Sequence, residues 1–293
     1  MEATGQISRK GYARWEGRRS TRKLPWWPIT RAGIRLAFMK KRFKAFFAFA
    51  FLPAVFTLGG IYVSERLEDF RTYLRGADKF LEVKPGYFMQ YFTNGSLFLF
   101  IIVIMALAGA GLVADDLKNN ALQLYFARPI RKRDYLLGKM SVLVFFITLL
   151  TLLPGLIFLV FKLIFSGSFK FLSDYPWLPL SVVAESALLI AFFSVYTLTL
   201  SALSKNSRYV MVLIAAIYYF SEVLFGILYG IFRSPYAALV SFKRNINQVS
   251  AVIFGQKPPY AIPPLASFAL LALLGGAGVY VLVRRIRSVE VIK

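Results

Sequence analysis

Residues 96–114 read SLFLFIIVIMALAGAGLVA, nineteen positions without one charged side chain. As a helix rising 1.5 Å per residue, the stretch covers about 28 Å, close to the ~30 Å hydrocarbon core of a bilayer. It reads as a membrane-crossing helix, and five further blocks of the same kind lie around it. These are 45–63 (AFFAFAFLPAVFTLGGIYV), 140–161, 178–203, 209–232 and 264–283. Pro53 and the Pro154-Gly155 pair predict kinks in the first and third blocks. Gly109, Gly111, Gly275, Gly276 and Gly278 predict close packing between helices. The fold class is therefore an all-α polytopic membrane protein with six transmembrane helices, residues 28–285 forming one membrane domain.

Composition supports lipid as the solvent. Of the 293 residues 58% are hydrophobic and the mean hydropathy is +0.60, whereas soluble domains sit near 45–50% apolar. The net charge of +22 would suggest nucleic acid in a soluble protein, but here Lys and Arg flank the apolar blocks. Twenty-five lie in the segment to Lys44, in 115–139, at Lys205 and Arg208, and in the tail from Arg284. Eleven lie in the alternate segments. By the positive-inside rule both termini are cytoplasmic, and no nucleic-acid partner is expected. The chain has no cysteine and no histidine, which removes disulfides, thiolate chemistry, the commonest general base and the commonest metal ligand. No catalytic residue and no metal site is predicted. About 44 largely polar residues precede the first block. A cleavable signal peptide carries its apolar region nearer the start, so the first span is expected to be retained.

The flanking segments carry their own patterns. Residues 1–27, rich in Gly, Ser and Arg, predict a disordered basic extension, and 286–293 a short cytoplasmic tail. In 64–82, Leu67, Phe70, Leu74, Ala77 and Leu81 recur at helical spacing, which predicts a helix on the outer membrane surface. Residues 233–263 contain Lys243-Arg244, Pro258-Pro259 and Pro263-Pro264. They fit a re-entrant or surface-lying hairpin and a plain loop equally well.

Two cytoplasmic elements stand out. In 28–44 (PITRAGIRLAFMKKRFK) Ile29, Ala32, Leu36, Met39 and Phe43 share about 80° of a helical projection, beside a basic face of Arg31, Arg35 and Arg42. Pro28 suits a first helical turn. Such a stripe predicts an amphipathic helix in the headgroup region, with Ile34 and Phe38 forming a second ridge for a partner. Between spans two and three, Asp115-Asp116 can cap a short helix whose apolar side is Leu117, Ala121, Leu124 and Tyr125. Pro129 ends that helix at Arg128. A basic turn through Arg131 and Arg133 follows, and Asp134 can start the helix that enters span three.

At these residues the chain resembles the permease subunits of type-2 ABC exporters. Asp116, the run Leu122, Gln123, Leu124, Tyr125, Phe126, then Arg128-Pro129, Arg131, Arg133 and Gly138-Lys139 match that family's order of acid, leucine-rich helix, Pro-basic turn and Gly-Lys. Six spans, internal termini, an N-terminal interfacial helix and a hairpin before the last span match over about 28–285. Relatives often carry Gly-Thr and then Glu where this chain has Asn119-Asn120 and Gln123, a departure in the ATPase contact itself. The resemblance implies a permease that works as a homodimer, or as a heterodimer with a related permease, in the bacterial inner (cytoplasmic) membrane. It implies two copies of a separate ABC ATPase docked on 115–139 through Asp116, Leu122, Leu124, Phe126, Arg128, Pro129, Arg131, Arg133 and Lys139, beside the interfacial helix. ATP and Mg would be bound by that ATPase and no cofactor by this chain. Consistent with this division, the sequence holds no G-x-x-x-x-G-K-[ST] loop, the element that cradles nucleotide phosphates.

Glu185 and Glu222 are the carboxylates well inside apolar blocks. One reading has them line a substrate, cation or proton route. The other has them hold helices together through the hydroxyls of Ser186, Ser221, Tyr218 and Tyr219. A secondary transporter would want repeats meeting at a polar midplane site, and a membrane enzyme a cluster of catalytic side chains. Six spans with two membrane acids fit the first less well, and a chain without His, Cys or clustered acids fits the second less well still. A non-translocating scaffold or regulatory subunit of an ABC complex shares every feature above with a true permease.

Overall fold

A computed structural model describes residues 24–66, 83–126 and 130–288, and every regular element among them is helical. Six stretches are long and apolar enough to cross a membrane: Lys41–Glu65, Gly95–Lys118, Lys132–Ser166, Leu178–Leu203, Ser207–Phe232 and Pro264–Ile286. Each contains the block read from the sequence, and the added residues are the polar turns that a hydropathy argument trims away.

The spans break where a specific group disturbs the helical ladder. Helix α1 (Trp27–Met39) precedes span one, which consists of α2 (Lys41–Phe49) and α3 (Leu52–Glu65). Pro53 sits at the start of α3, and its ring displaces the carbonyl four residues earlier, that of Phe49. After α4 (Pro85–Thr93), span two is α5 (Gly95–Gly109) and α6 (Gly111–Lys118). Between them Ser201 enters the ladder: its hydroxyl lies 2.8 Å from the Ala110 carbonyl and accepts the Val113 and Ala114 amides at 3.0 and 3.1 Å. The short α7 (Ala121–Phe126) leads to span three, α8 (Lys132–Leu150) and α9 (Leu152–Ser166). That span breaks at Thr151 rather than at Pro154-Gly155, because the ring of Pro154 displaces the carbonyl of Leu150. The Tyr91 hydroxyl donates to that carbonyl at 2.6 Å.

Helix α10 (Lys170–Asp174) is followed by α11 (Leu178–Leu203) and α12 (Ser207–Phe232), then α13 (Phe242–Ile253) and α14 (Pro264–Ser288). Helix α11 is the hub, packing on α5, α6, α8, α9, α12, α13 and α14. Spans two, three and four are more than half buried in the bundle and spans one, five and six less than one third. The outer three leave most of their surface to lipid or a partner.

Residues 233–263 form a re-entrant hairpin. A 3₁₀ turn (Pro235–Val240) returns along α12, and α13 then climbs beside α11. Phe242 packs on Phe192 and Tyr196, Ser250 meets Glu185, and Ser181 bonds to the Ile253 carbonyl at 2.6 Å. The tip at Ser241 touches Glu222, ten residues or about 15 Å inside the end of α12. Irregular backbone at such depth needs internal partners, and the Asn245 amide supplies them to the carbonyls of Ala238, Leu239 and Ser241 at 3.2, 2.9 and 2.7 Å. Most of the predicted surface helix (67–82), residues 1–23 of the extension and 289–293 of the tail lie outside the described residues.

Candidate functional site

The two elements singled out in the sequence meet on one helix, α8. Helix α1 lies flush against it because Gly138 leaves no side chain between them. A Cβ at Gly138 would stand 2.8 Å from Ile29 Cβ and 2.9 Å from the Trp26 carbonyl oxygen, and one at Gly33 2.6 Å from Val142. The Thr30 hydroxyl lies 3.1 Å from the Gly138 carbonyl and 3.2 Å from that of Trp26. The buried side of α1 is thus Ile29, Thr30 and Ala37, while Arg31 and Arg35 are exposed.

The continuous helix expected over 28–44 is two helices. The backbone at Lys40 is extended (φ −79°, ψ 117°), so the predicted stripe is divided. Ile29 faces α8, Leu36 and Met39 remain 60% and 68% exposed, and Phe43 is fully buried in α2. There Phe43 packs on Phe38, Phe47 and Phe146 at centroid distances of 5.4, 5.6 and 4.9 Å. The second ridge therefore serves this chain's own bundle, with Phe38 5.7 Å from Phe146.

Beyond α1 a charge knot joins α6, α7 and α8. Tyr135 and Lys139 stand one turn apart on α8 and face the same way. Both reach Asp116 Oδ2, the hydroxyl donating at 2.7 Å and the ammonium at 2.7 Å. The Lys139 amine also lies 5.8 and 5.5 Å from the ring centroids of Tyr125 and Tyr135, which pack at 5.3 Å. Burial, and secondarily the Asp116 charge, raises the Tyr125 pKa, so its phenol stays protonated. The Asp116 and Lys139 side chains are only 15% and 10% exposed.

The acidic pair does not cap α7. Asp115 and Asp116 lie within the last turn and a half of α6, with Asp115 exposed. Leu122 is 1% exposed and anchors α7. Asp134 is the third residue of α8, where its carboxylate accepts the Arg131 amide at 3.2 Å. Arg131 and Arg133 are exposed, and so is Arg42 at the start of α2. Leu124 and Phe126 belong to α7; Arg128 and Pro129 lie outside the described residues. The result is a short helix held to two long ones, with Arg31, Arg35, Arg131 and Arg133 exposed at the same end of the bundle.

Glu185 and Glu222 both reach α13. Glu222 pairs with Arg244 at 3.3 Å and bonds to Ser241. Arg244 in turn donates to the Tyr260 hydroxyl at 2.9 Å and lies 4.7 Å over the Phe225 ring. Glu185, fully buried, bonds to the Ser250 hydroxyl at 2.7 Å through one oxygen. The hydroxyls expected from the sequence are not their partners. Ser221 donates to its own helix at the Tyr218 carbonyl, and the Ser186 and Tyr218 hydroxyls have no hydrogen-bond partner among the described residues. Arg244 was visible only as one of two adjacent cations in a segment that pattern alone left open.

A family model described as "ABC-2 family transporter protein" matches residues 27–279, from the start of α1 to well inside α14. A comparison with curated proteins finds no match for the chain.

Proposed function

The chain belongs to the ABC-2 transporter family, an integral-membrane permease family, and from that premise we propose that it is the permease subunit of an ATP-driven exporter. In this reading two copies, or this chain and a related permease, form the substrate path in a bacterial inner membrane. Two separate ABC ATPase chains bind ATP and Mg and dock on α7 and its flanks, beside α1. Their closure on ATP tilts α8 and α1 together and expels substrate.

The observation that carries the reading is the knot of Asp116, Tyr135 and Lys139. It ties α6 to α8 at the basic end of the bundle, and the Tyr125 ring of α7 packs on Tyr135 and Lys139 of the same knot, which supports delivery of a push on α7 to span three. The flush seat of α1 on Gly138 adds a second rigid connection to the same helix. The sequence holds no phosphate-binding loop, which supports a separate chain as the site of hydrolysis.

One observation favours translocation over a scaffolding role. Glu222 and Arg244 remain 20% and 32% exposed at about 15 Å inside the bundle. A part-exposed ion pair at that depth is costly against hydrocarbon and suits a wetted route or a partner permease. The docking assignment is tested by co-purification with the P-loop ATPase of the same complex. Reversing Arg128, Arg131 and Arg133 to Glu is expected to weaken that association at least about tenfold; retention of full binding overturns it.

A further inference from the structure

The break between α1 and α2 brings three consecutive cations, Lys40, Lys41 and Arg42, to the mouth of one cavity. Its other walls are apolar: Phe43, Leu107 of α5 and Met211 of α12. The volume, about 440 Å³, lies in the range of small-molecule sites, ~300–1,000 Å³. All three cations are exposed, and no carboxylate among the described residues lies within ion-pair distance of them. The Lys40 amine donates to the Leu107 carbonyl at 3.1 Å. Arg208, one turn before Met211, adds a further exposed cation to that stripe of α12. The first turn of α2 carries neither a side-chain cap nor an acid, so its orphan amides add positive potential at the same end.

The height of this cavity in the bundle identifies its ligand. Leu107 lies two residues from Gly109, which abuts Leu143 of α8 and Thr197 of α11. From Leu143 to Lys162 is nineteen residues of span three, at most about 28 Å along α8 and α9. At that far level Lys162 pairs with Glu65 and covers the Phe171 ring at 5.1 Å. The two charged levels are thus separated by one hydrocarbon thickness, ~30 Å. Lys40, Lys41 and Arg42 stand at the headgroup boundary, their cavity floor faces the hydrocarbon, and the exposed Leu36 and Met39 of α1 lie alongside. A free anion would need the cations alone. An apolar floor at the membrane edge suits an anion that carries acyl chains.

We propose that this cavity is a binding site for the phosphate headgroup of an anionic phospholipid. Lys40, Lys41 and Arg42 take the phosphate, and Phe43, Leu107 and Met211 contact the first carbons of the chains. Because Lys40 also holds the Leu107 carbonyl beside the α5–α6 break, occupancy draws the α1–α2 elbow towards span two. The inference uses the membrane-spanning fold and the cavity, and it stands or falls independently of ATPase docking.

The test is titration of the purified full-length chain in detergent with dioleoyl-phosphatidylglycerol, dioleoyl-phosphatidylcholine or inorganic phosphate, read by native mass spectrometry. Saturable binding of the anionic lipid is expected, with the zwitterionic lipid at least about tenfold weaker and millimolar phosphate failing to displace it. The Lys40→Gln/Lys41→Gln/Arg42→Gln variant is expected to lose at least about tenfold in anionic-lipid affinity. An equal loss of charge just outside the cavity, Arg31→Gln/Arg35→Gln/Lys44→Gln, is expected to lose no more than about twofold. Met211→Trp fills the cavity while keeping every charge and is expected to lower affinity as the first triple does. Equal loss in both triples would reveal a diffuse basic surface and overturn the site. Displacement by inorganic phosphate would make it an anion site without lipid recognition. Unchanged lipid affinity in the first triple, with weakened ATPase association, would give this surface to the protein partner instead.

Discussion

Two ion pairs of similar chemistry, Asp116–Lys139 and Glu222–Arg244, sit in opposite kinds of place. The first lies at the basic end of the bundle, past the Lys40 level, yet its side chains are only 15% and 10% exposed. The second lies about 15 Å inside the bundle, where apolar surroundings are expected, yet its side chains are 20% and 32% exposed. A pair enclosed where water is near is a structural fastener. A pair left open where water is scarce faces something other than lipid. The contrast separates a part of the molecule held closed by its own contacts from a part that faces surroundings other than lipid.

The sharpest way to break this contrast is to remove the acid of the enclosed pair. Asp116→Ala leaves the Lys139 ammonium largely buried without its counter-ion and the Tyr135 hydroxyl without its acceptor. A loss of about 3 kcal/mol is expected, read as a lowered denaturation midpoint in detergent. Asp116→Leu combined with Lys139→Met removes both charges and is expected to recover most of that loss, since apolar replacements of a buried pair are often neutral. A harmless Asp116→Ala would mean that α6 and α8 are held by their apolar contacts and that the pair is no fastener.

The second test concerns the seat of α1. Gly138→Ala drives a methyl into Ile29 and the Trp26 carbonyl, where backbone cannot give way cheaply. A cost of about 2 kcal/mol is expected, together with weaker ATPase association if α1 and α7 move as one body. Gly226→Ala on α12 is the control, because an added Cβ there meets nothing within 4 Å. Its effect is expected within about 0.5 kcal/mol. Equal effects at the two glycines would show that α1 is not seated on α8.

The spans and their number could be read from the sequence because they depend on local quantities. Nineteen uncharged residues decide a span without reference to any other part of the chain. Asp116 and Lys139 stand out in the sequence as docking residues, but their pairing with each other depends on how α6 and α8 pack. The hairpin was not readable in this way. Asn245, which satisfies three carbonyls at the tip, is an ordinary polar residue until the reversal at Ser241 is known. Arg244 and Ser250 acquire meaning only when α13 is placed between α11 and α12. The break at Lys40 escaped for a different reason: a projection at 100° per residue assumes one helix and carries the stripe across a bend it cannot see. Its apparent regularity from Ile29 to Phe43 joined residues of two helices.

The smallest expected effects give the finest test, because they separate the two membrane carboxylates by function rather than by stability. Glu222→Gln keeps a bond to Ser241 but loses the charge that faces Arg244. About 1 kcal/mol of stability is expected to go, while transport in proteoliposomes containing the ATPase falls by a larger factor. Glu185→Gln should behave in the opposite sense. The Ser250 hydroxyl has one proton and lies 2.8 Å from the Ile246 carbonyl as well as 2.7 Å from Glu185. A Gln amide can donate to Ser250 while Ser250 donates to its own helix, so the link from α11 to α13 survives. Less than about 1 kcal/mol is expected to be lost, with transport unchanged. If Glu185→Gln abolishes transport while the melting midpoint holds, the buried carboxylate lines the route, and exposure at depth ceases to distinguish the working acid from the structural one.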